Sequence, residues 1–332
     1  MNSVPSRIQG CLLGVAIGDA LGMPVETMSH DRIMEATKGI GIDRFIEPIN
    51  RRDWTKGMKA GATTDDWQLT RAVLTSLIRT QGVFSVADCA AEHVRESSQS
   101  LFGWGKTTQG AIDAIKRGER DPEKDPLPPA PVGGGCGNGI VMKVAPVAIA
   151  NFLRQKDHKD LWRDVKTLGS ITHPDILASV SAFAVAVMLC KVLQPGILSA
   201  GQVGFLFEQM LAVVINLEKE EKIPPHVSNR LLKIPDFWND AGYLRKGVGC
   251  GFYAIDTAAF AIGTFLRHTN SFRQGVLEAV NAGGDTDTNA SVVGALIGAN
   301  VGLEGIPDEW KCFSEEFKEP QVLGHQLSLI TA

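Results

Sequence analysis

Apolar residues recur at intervals of three and four positions along most of the chain, which is the period that places side chains on one face of an α-helix. Residues 176–193 are apolar on nearly every side, a pattern typical of a helix buried in a core. Alternating apolar and polar runs, which would indicate strands, are scarce. The pattern therefore predicts an all-α protein, with helices over residues 8–19, 67–79, 176–193, 203–217, 253–267 and 289–301.

Two segments interrupt this helical pattern. Residues 118–139 contain five prolines followed by five glycines within 133–139, and residues 223–249 contain three prolines and scattered charges. Prolines at this density end helices. Because apolar helices resume directly after each segment, we interpret both as long surface loops, and residues 1–332 as a single domain.

The first predicted helix carries two unusual features. Gly10, Gly14 and Gly18 are spaced four apart and form a ridge of small residues, which permits close packing of another helix. Asp19 extends the apolar stripe, so we expect its carboxylate to be buried and hydrogen-bonded, tying down helix ends rather than acting in catalysis. The apolar run over residues 11–17 is broken by Asp19 and is too short to span a membrane.

Charge and cysteine content disfavour several classes of protein. The chain has 33 basic and 37 acidic side chains and a formal net charge of −4, which gives no basic footprint for nucleic acid or an anionic membrane. The six cysteines form no C-x-x-C pair, which favours reduced core thiols over disulfides or zinc ligands. With no targeting signal recognised at the N-terminus, we expect a soluble, cytoplasmic protein.

Two acidic segments stand at predicted helix starts, T-T-D-D at 63–66 and G-G-D-T-D-T at 283–288. Helix capping would explain any one of these residues and remains the alternative. Four carboxylates exceed what capping needs, and bringing them together costs repulsion unless cations neutralise them. Hard oxygen donors suit magnesium or manganese, so the sequence indicates a binuclear site. An EF-hand is excluded, because Ala290 and Leu296 replace its glycine and glutamate.

Other segments offer polar groups for a ligand. The glycine-rich run at 133–139 matches neither a P-loop nor a dinucleotide fingerprint, and it is either a linker or a phosphate cradle of backbone N–H groups. Glu26 follows Pro24 in a loop and is a candidate acid or base, although an exposed loop glutamate is commoner. His173 is a capping or surface histidine or a phosphate donor, and Tyr253 is a core aromatic or a ligand-stacking ring.

Together these segments resemble the ADP-ribosylglycohydrolase family. The matching pieces are G-D-A-L-G with Glu26, T-T-D-D, G-N-G followed by M-K-V-A-P, T-H, and G-G-D-T-D-T, in this order from residue 8 to about residue 310. The combination is highly specific, although each piece alone is not. The resemblance implies a compact all-α domain, a multi-helix bundle with a binuclear metal site at its centre.

The resemblance also implies roles for individual residues. The metal ligands would be Thr64, Asp65, Asp66, Asp285, Asp287 and Thr288. The catalytic set would be Glu26, Asp65, Asp66 and Asp287, with Glu26 or one of the aspartates handling the proton. Substrate contacts would come from Gly135, Cys136, Gly137 and Asn138 along the phosphates, His173 near the pyrophosphate, and Tyr253 at the distal ribose.

Two positions depart from the family pattern. Some members have an aromatic residue where Cys136 stands, so the partner that stacks on adenine is missing or comes from elsewhere. Arginine-directed members place an aspartate in the loop that reads F-G-W-G at 102–105 here, and no acid is present. Trp104 would either stack on the ligand or anchor this loop in the core. The acceptor therefore stays open among arginine, serine, another side chain, a nucleic-acid base and an O-acyl group.

The function implied by the resemblance is release of ADP-ribose from an ADP-ribosylated protein or a small-molecule conjugate. Cleavage would take place at the anomeric carbon of the distal ribose through an oxocarbenium-like transition state. Two Mg²⁺ or Mn²⁺ ions would orient the sugar and lower the pKa of the attacking water. The alternatives are a binuclear metallohydrolase of nucleotide phosphates and a non-catalytic relative similar to certain lens crystallins, although all six ligand positions are filled.

Overall fold

The computed structural model describes residues 3–50, 52–99, 102–124, 136–194 and 198–330, and most of them are helical. The helices are α1 (Val4–Gly22), α2 (His30–Ala36), α3 (Asp65–Arg79), α4 (Val86–Ser97), α5 (Lys106–Lys116), α6 (Ala145–Leu153), α7 (His158–Thr172), α8 (Ile176–Val192), α9 (Ala200–Glu220), α10 (His226–Leu231), α11 (Ile234–Phe237), α12 (Ala241–Val248), α13 (Ala254–Arg267), α14 (Phe272–Val280), α15 (Thr286–Val301), α16 (Asp308–Lys311) and α17 (Lys318–Ser328). Within the described ranges there is no β-strand, only two isolated bridges. The all-α prediction is confirmed.

All six predicted helices are present, with boundaries that differ by a few residues. Two of these differences matter for the site. Helix α3 begins at Asp65 and α15 begins at Thr286, so both acidic segments run into the first turn of a helix. The first helical turn has free backbone N–H groups and the positive end of the helix dipole, which favours carboxylates there.

The segment 223–249, which the sequence analysis interprets as a loop, contains α10, α11 and α12, so that interpretation is wrong. Its prolines lie just before a helix or in its first turn, and not in a helix interior. Pro225 is the N-cap residue of α10, and Pro235 lies in the first turn of α11. Proline is tolerated there because the first turn leaves its N–H groups without intrahelical acceptors.

The centre of the fold is an antiparallel pair formed by α1 and α15. A Cβ on Gly14 would lie 2.1 Å from the carbonyl oxygen of Gly294, and a Cβ on Gly18 would lie 2.2 Å from that of Ala290. No side chain fits at such distances, so the backbones of the two helices are in direct contact. The predicted packing role of the glycine ridge is confirmed, and this contact brings the end of α1 against the start of α15.

Replacing Gly14 with alanine is expected to lower the free energy of unfolding by about 3 kcal/mol, because overpacked cores lose roughly this much. The methyl group would meet a backbone carbonyl, which can yield only if the two helices separate. Thermal or denaturant unfolding measures the loss. The matched control is Gly204→Ala in α9, where a Cβ meets nothing within 4 Å, and it should leave stability unchanged or raise it. Equal stability of the two variants would contradict the close contact.

Helix α1 corrects one detail of the sequence analysis. The apolar stretch over residues 4–25 has a mean hydropathy of 1.5 in its most apolar window and is long enough to cross a membrane, because Asp19 does not end the helix. Yet 94% of that window is buried inside the protein. The apolar character of α1 is therefore accounted for by its place in the core, between α15 and α17.

The remaining helices surround this pair. Helices α13 and α14 pack on α15, and α8 lies among α6, α7, α9 and α13. Helix α3 packs on α4, α6 and α17 and also contacts α1 and α15. The end of α1 and the starts of α3 and α15 therefore meet inside the protein, and the candidate site lies where they meet.

Candidate metal centre and active site

A cavity of about 270 Å³ lies at this junction. It is lined by Glu26, Asp65, Asp66, Gly103, Gly105, Thr107, Thr108, Gly137, Asn138, Gly139, Met142, His173, Phe252, Asp285, Asp287 and Thr288. Five of these side chains are carboxylates, contributed by three separate segments of the chain. The structure thus brings together both acidic segments, Glu26, part of the glycine-rich run and His173.

Asp19 organises the start of α3. Its carboxylate accepts hydrogen bonds from the Thr64 N–H at 2.8 Å, the Thr64 hydroxyl at 2.7 Å and the Trp67 N–H at 3.1 Å. A carboxylate from α1 therefore caps α3, and Thr64 itself makes no capping bond. The expectation that Asp19 is a buried carboxylate tying down a helix end is confirmed. Thr64 is fully buried, and its side chain points to Asp19.

Capping does not account for the carboxylates of the two acidic segments. The N-cap residue of α15, Asp285, makes no capping bond; its carboxylate accepts a hydrogen bond from the Asn138 amide at 2.6 Å. Within the described ranges, the Asp66 carboxylate accepts only the Thr288 hydroxyl, at 3.2 Å, and Asp287 accepts the Thr288 N–H at 2.9 Å. The Oδ1 atom of Asp66 has no hydrogen-bond partner among the described residues, so it is free to serve another partner.

The loop that carries Glu26 is fixed to the turn before α15. The Thr27 N–H donates to the Gly284 carbonyl at 2.7 Å, and the Gly284 N–H donates to the Met28 carbonyl at 2.9 Å. Thr27 has a φ of 69°, a left-handed conformation that is rare for a β-branched residue. Strain of this kind persists only where the surroundings impose it. The result is that the Glu26 carboxylate lies beside Asp285 and Asp287.

The carboxylate oxygens are close enough to share cations. One oxygen each from Glu26, Asp285 and Asp287 lie within 4.8 Å of one another, and so do oxygens from Asp19, Asp66 and Asp287. Among the described residues, Asp287 alone belongs to both groups. The Oε2 atom of Glu26 and the Oδ1 atom of Asp66 are buried and have no hydrogen-bond partner among the residues that the structure describes. Buried carboxylate oxygens without partners are costly, and a divalent cation is the partner that this donor set fits.

The pKa values of the carboxyl groups also favour a neutralising cation at this site. Burial, and then the negative charge of Asp287, raise the pKa of Glu26 to about 10 and that of Asp19 to about 7. The same two causes raise the pKa values of Asp65, Asp66 and Asp285 well above their ordinary range. Without a cation the cluster therefore holds protons that the isolated side chains would release.

The described part of the glycine-rich run is attached to the start of α13. The Asn138 N–H donates to the Phe252 carbonyl at 3.2 Å, and the Ala254 N–H donates to the Cys136 carbonyl at 2.9 Å. Gly137, between these two bonds, has no acceptor for its own N–H among the described residues. The segment is thus an ordered wall of the cavity, which disfavours a plain linker here. Gly135, also predicted to contact substrate, lies outside the described residues.

Three predicted substrate contacts are not among the residues that line the cavity. Trp104 is 5% exposed, and its indole N–H donates to the Gln68 side chain at 2.7 Å, so it anchors the 102–105 loop in the core. Cys136 is buried beside Tyr253. Tyr253 lies at the N-cap of α13, and its neighbour Phe252, which is half exposed, lines the cavity in its place.

The sequence analysis did not identify Lys143, a buried polar residue that is connected to the cavity lining through Thr172 and His173. Lys143 is fully buried, and its ammonium donates to Thr172 and His93. Burial lowers the pKa of Lys143 to about 8. The only sequence signal was a lysine within the otherwise apolar run 140–150, which favours a paired or hydrogen-bonded buried charge.

Comparison with known proteins identifies the fold and its activity. A family model described as ADP-ribosylglycohydrolase matches residues 1–328. The chain belongs to the ADP-ribosylglycohydrolase family. It is therefore a hydrolase that acts on glycosyl bonds, and the predicted family and enzyme class are confirmed. Hydrolytic release of ADP-ribose from an acceptor, predicted from the sequence, is the activity of this family, and neither alternative function is favoured.

Several ADP-ribosylglycohydrolases are similar to the chain over nearly its full length. ADP-ribosylhydrolase ARH3 of Mus musculus is 28% identical, with 97% of this chain and 91% of the relative covered. The ADP-ribosyl-[dinitrogen reductase] glycohydrolase of Rhodospirillum rubrum is 28% identical, covering 93% and 90%. ADP-ribosylarginine hydrolase Tri1 of Pseudomonas putida is 28% identical, covering 92% and 73%. A solved structure titled ADP-ribosylglycohydrolase-related protein complex shares the fold, with a TM-score of 0.73, 24% identity and full coverage of both chains.

Proposed function

We propose that this ADP-ribosylglycohydrolase cleaves the bond between the distal ribose and the acceptor at a centre of two Mg²⁺ or Mn²⁺ ions. The observation that carries the proposal is the convergence of five carboxylates in one cavity, with buried oxygens of Glu26 and Asp66 left without partners. The residues that would hold the ions are Asp65, Asp66, Asp285, Asp287 and Thr288; the hydroxyl of Thr64, the sixth ligand expected from the sequence, donates to Asp19 and is not in the cavity lining.

The ions, when bound, would supply Lewis-acid chemistry, orienting the ribose hydroxyls and lowering the pKa of water. The side chains of this protein perform the rest. Water oxygen forms a bond to the anomeric carbon, the bond to the acceptor breaks, and the acceptor leaves with a proton. Glu26 is our candidate for moving that proton, because its Oε2 atom is free and it lines the cavity. The aspartates stabilise the positive charge that develops on the sugar.

The glycine-lined wall of the cavity suits the phosphates of the ligand. Gly137 offers a backbone N–H that has no acceptor in the part of the chain that the structure describes, and His173 lines the same wall. Backbone N–H groups and a neutral imidazole bind anions without adding a cation that would compete with the metal site. We propose that this wall contacts the pyrophosphate and that the carboxylates face the distal ribose.

The acceptor is proposed from the loop at 102–105. Gly103 and Gly105 line the cavity, and Trp104 is turned into the core, so the loop brings no carboxylate to the site. A guanidinium group is best bound by a carboxylate that accepts two parallel hydrogen bonds. The loop provides none, and we propose an acceptor joined through oxygen, such as a serine side chain, in preference to arginine.

A panel of ADP-ribosylated acceptors tests both statements. Peptides modified on serine or on arginine and O-acyl-ADP-ribose are incubated with the protein and Mg²⁺ or Mn²⁺, and the products are separated by chromatography. We expect free ADP-ribose as the nucleotide product and faster release from the oxygen-linked substrates. Release of AMP or phosphate instead would overturn the proposed reaction, whereas faster release from arginine would overturn only the proposed acceptor.

A further inference from the structure

A chain of buried polar side chains runs from α4 to the cavity. The Lys143 Nζ atom lies 3.1 Å from the Nε2 atom of His93 and 2.8 Å from the hydroxyl oxygen of Thr172. The Thr172 hydroxyl lies 2.9 Å from the Nδ1 atom of His173. Lys143, His93 and Thr172 are fully buried, and His173 is 6% exposed, at the cavity wall. Of these four residues, only His173 has a role in the function proposed above; Lys143, His93 and Thr172 have none.

The positions of the protons follow from the partners. An ammonium group has three donors and no acceptor, so Lys143 must donate to both His93 and Thr172. Because Nε2 of His93 accepts, its proton is on Nδ1, which donates to the Cys89 carbonyl at 2.8 Å. Lys143 is charged at neutral pH, because its pKa of about 8 lies above 7.

The Thr172 hydroxyl decides the tautomer of His173. Its oxygen already accepts from Lys143, and its own proton needs an acceptor because the group is fully buried. The acceptor that the structure provides is Nδ1 of His173. That nitrogen must therefore be unprotonated, and the neutral ring carries its proton on Nε2. Burial and the charge of Lys143 lower the pKa of His173 to about 3, so the ring stays neutral.

The Nε2 atom of His173 faces the ligand wall. A Cβ on Gly137 would lie 3.5 Å from this nitrogen, and one on Gly139 would lie 2.3 Å from Cε1. The ring is therefore packed against the glycine segment, with its Nε2 donor beside Gly137, whose N–H has no acceptor among the described residues. Two donors from different elements thus lie close together in the lining of the cavity.

We propose that Lys143 and Thr172 are positioning residues that hold His173 in its Nε2–H tautomer, so that it donates a hydrogen bond to the anionic part of the ligand. The ligand in this statement is ADP-ribose, so this part rests on the proposed function. The tautomer itself does not, because the hydrogen bonds that fix it are present in the protein alone.

The tautomer is measured without ligand. Long-range proton–nitrogen NMR spectra of protein labelled with ¹⁵N-histidine distinguish the two neutral forms, and His173→Asn assigns the signal among the seven histidines. At pH 7 we expect the Nε2–H form in the wild type and in Thr172→Ser. In Thr172→Val, which keeps the shape but lacks the hydroxyl, we expect a mixture of tautomers. The Nδ1–H form in the wild type would overturn the proposal.

Binding of ADP-ribose to the Mg²⁺-loaded protein, measured by titration calorimetry, tests the consequence. Thr172→Val is expected to raise Kd about tenfold, since a hydrogen bond to a charged group contributes on this scale. The Kd of Thr172→Ser should stay within about twofold of the wild-type Kd. The same is expected of the control Thr269→Val, which removes a buried hydroxyl that donates to the backbone carbonyls of Phe265 and Leu266. A purely structural role would make serine and valine at 172 equally harmful, and that result would overturn the proposal.

The NMR and calorimetry experiments distinguish failure of the proposed function from failure of the positioning role. If the wild type does not bind ADP-ribose, the proposed function fails, and the NMR arm alone then decides whether the tautomer is held as proposed. If the wild type binds and Thr172→Val binds equally well, the proposed function stands and the positioning role fails. The rise in melting temperature on adding Mg²⁺ should be the same in all these variants, because none of them alters a carboxylate.

Discussion

Replacing Asp287 with asparagine is expected to lower kcat by about a thousandfold, which is at the upper end of what one charge-stabilising group contributes. Among the described residues this carboxylate alone lies in both groups of oxygens close enough to share a cation. Its loss therefore weakens both halves of the site at once. The fold should survive, because an asparagine oxygen can still accept the Thr288 N–H that Asp287 accepts at 2.9 Å.

The matched control is Asp157→Asn. Asp157 also stands at a helix start, where its carboxylate caps α7 by accepting the N–H groups of Lys159 and Asp160, and it lies outside the cavity. Asparagine caps helices about as well as aspartate, so activity and stability should be unchanged. Initial rates of ADP-ribose release at saturating Mg²⁺, with circular dichroism as the folding check, give the comparison. A folded Asp287→Asn protein with near wild-type turnover would rule out the shared-ligand role.

The acidic segments could be found from the sequence because each is defined by neighbouring residues alone. T-T-D-D and G-G-D-T-D-T both stand at the start of an apolar helix. If both helices are buried, carboxylates at their starts can come close to each other only in the interior of the protein. The repulsion argument then required a cation. The structure adds what the local pattern could not give, namely that Asp287 joins the two groups and that Glu26 lies beside it.

The residues whose role the sequence left open, or did not indicate, depend on long-range contacts. The ring of Trp104 could have turned toward the ligand or the core, and the side chain that holds it, Gln68, lies 36 positions earlier in the chain. Lys143 and Thr172 are 29 positions apart, and nothing in the sequence indicates their hydrogen bond. Hydrophobic periodicity shows which face of a helix is buried, but not which polar group it meets there.

The helices of 223–249 show a different limit. Three prolines in one segment indicated a loop. A proline is excluded from the interior of a helix, however, and not from its first turn, so the prolines were compatible with short helices that begin at them. Periodicity could not correct this reading, because α10, α11 and α12 have six, four and eight residues, too few for an apolar stripe to repeat. Short helices of this kind are held by packing, here of Leu231, Ile234 and Leu244 in the core, and not by their own pattern.

The carboxylate cluster is also expected to make the stability of the metal-free protein depend on pH in an unusual direction. The folded-state pKa values of Asp19, about 7, and Glu26, about 10, lie above the ordinary range of about 4 for carboxyl groups. At pH values between the ordinary carboxyl pKa and these raised pKa values, the folded protein binds more protons than the unfolded chain. Stability contributed by this cluster is therefore present at low pH and is lost as the pH rises through this window.

Metal ions should reverse that loss. A cation that binds only the folded protein adds RT ln(1 + [L]/Kd), about 2.7 kcal/mol at a hundredfold excess over Kd. Because the cation must displace the protons held by the carboxyl groups, the rise in melting temperature on adding Mg²⁺ or Mn²⁺ should be larger at pH 8 than at pH 6. Differential scanning fluorimetry after EDTA treatment measures both conditions, and a second addition of EDTA should remove the gain.

Asp287→Asn gives this prediction its sharpest form. After burial, the charge of Asp287 is the largest cause of the raised pKa values of Glu26, Asp65, Asp66 and Asp285, so its removal should relieve repulsion in the metal-free protein. Without metal the variant should therefore melt at or above the wild type, contrary to the usual effect of a buried substitution. With metal it should gain much less. If the carboxylates served only as helix caps, Mg²⁺ and Mn²⁺ would leave wild-type melting unchanged at either pH, and that result would remove the basis for the two-metal site.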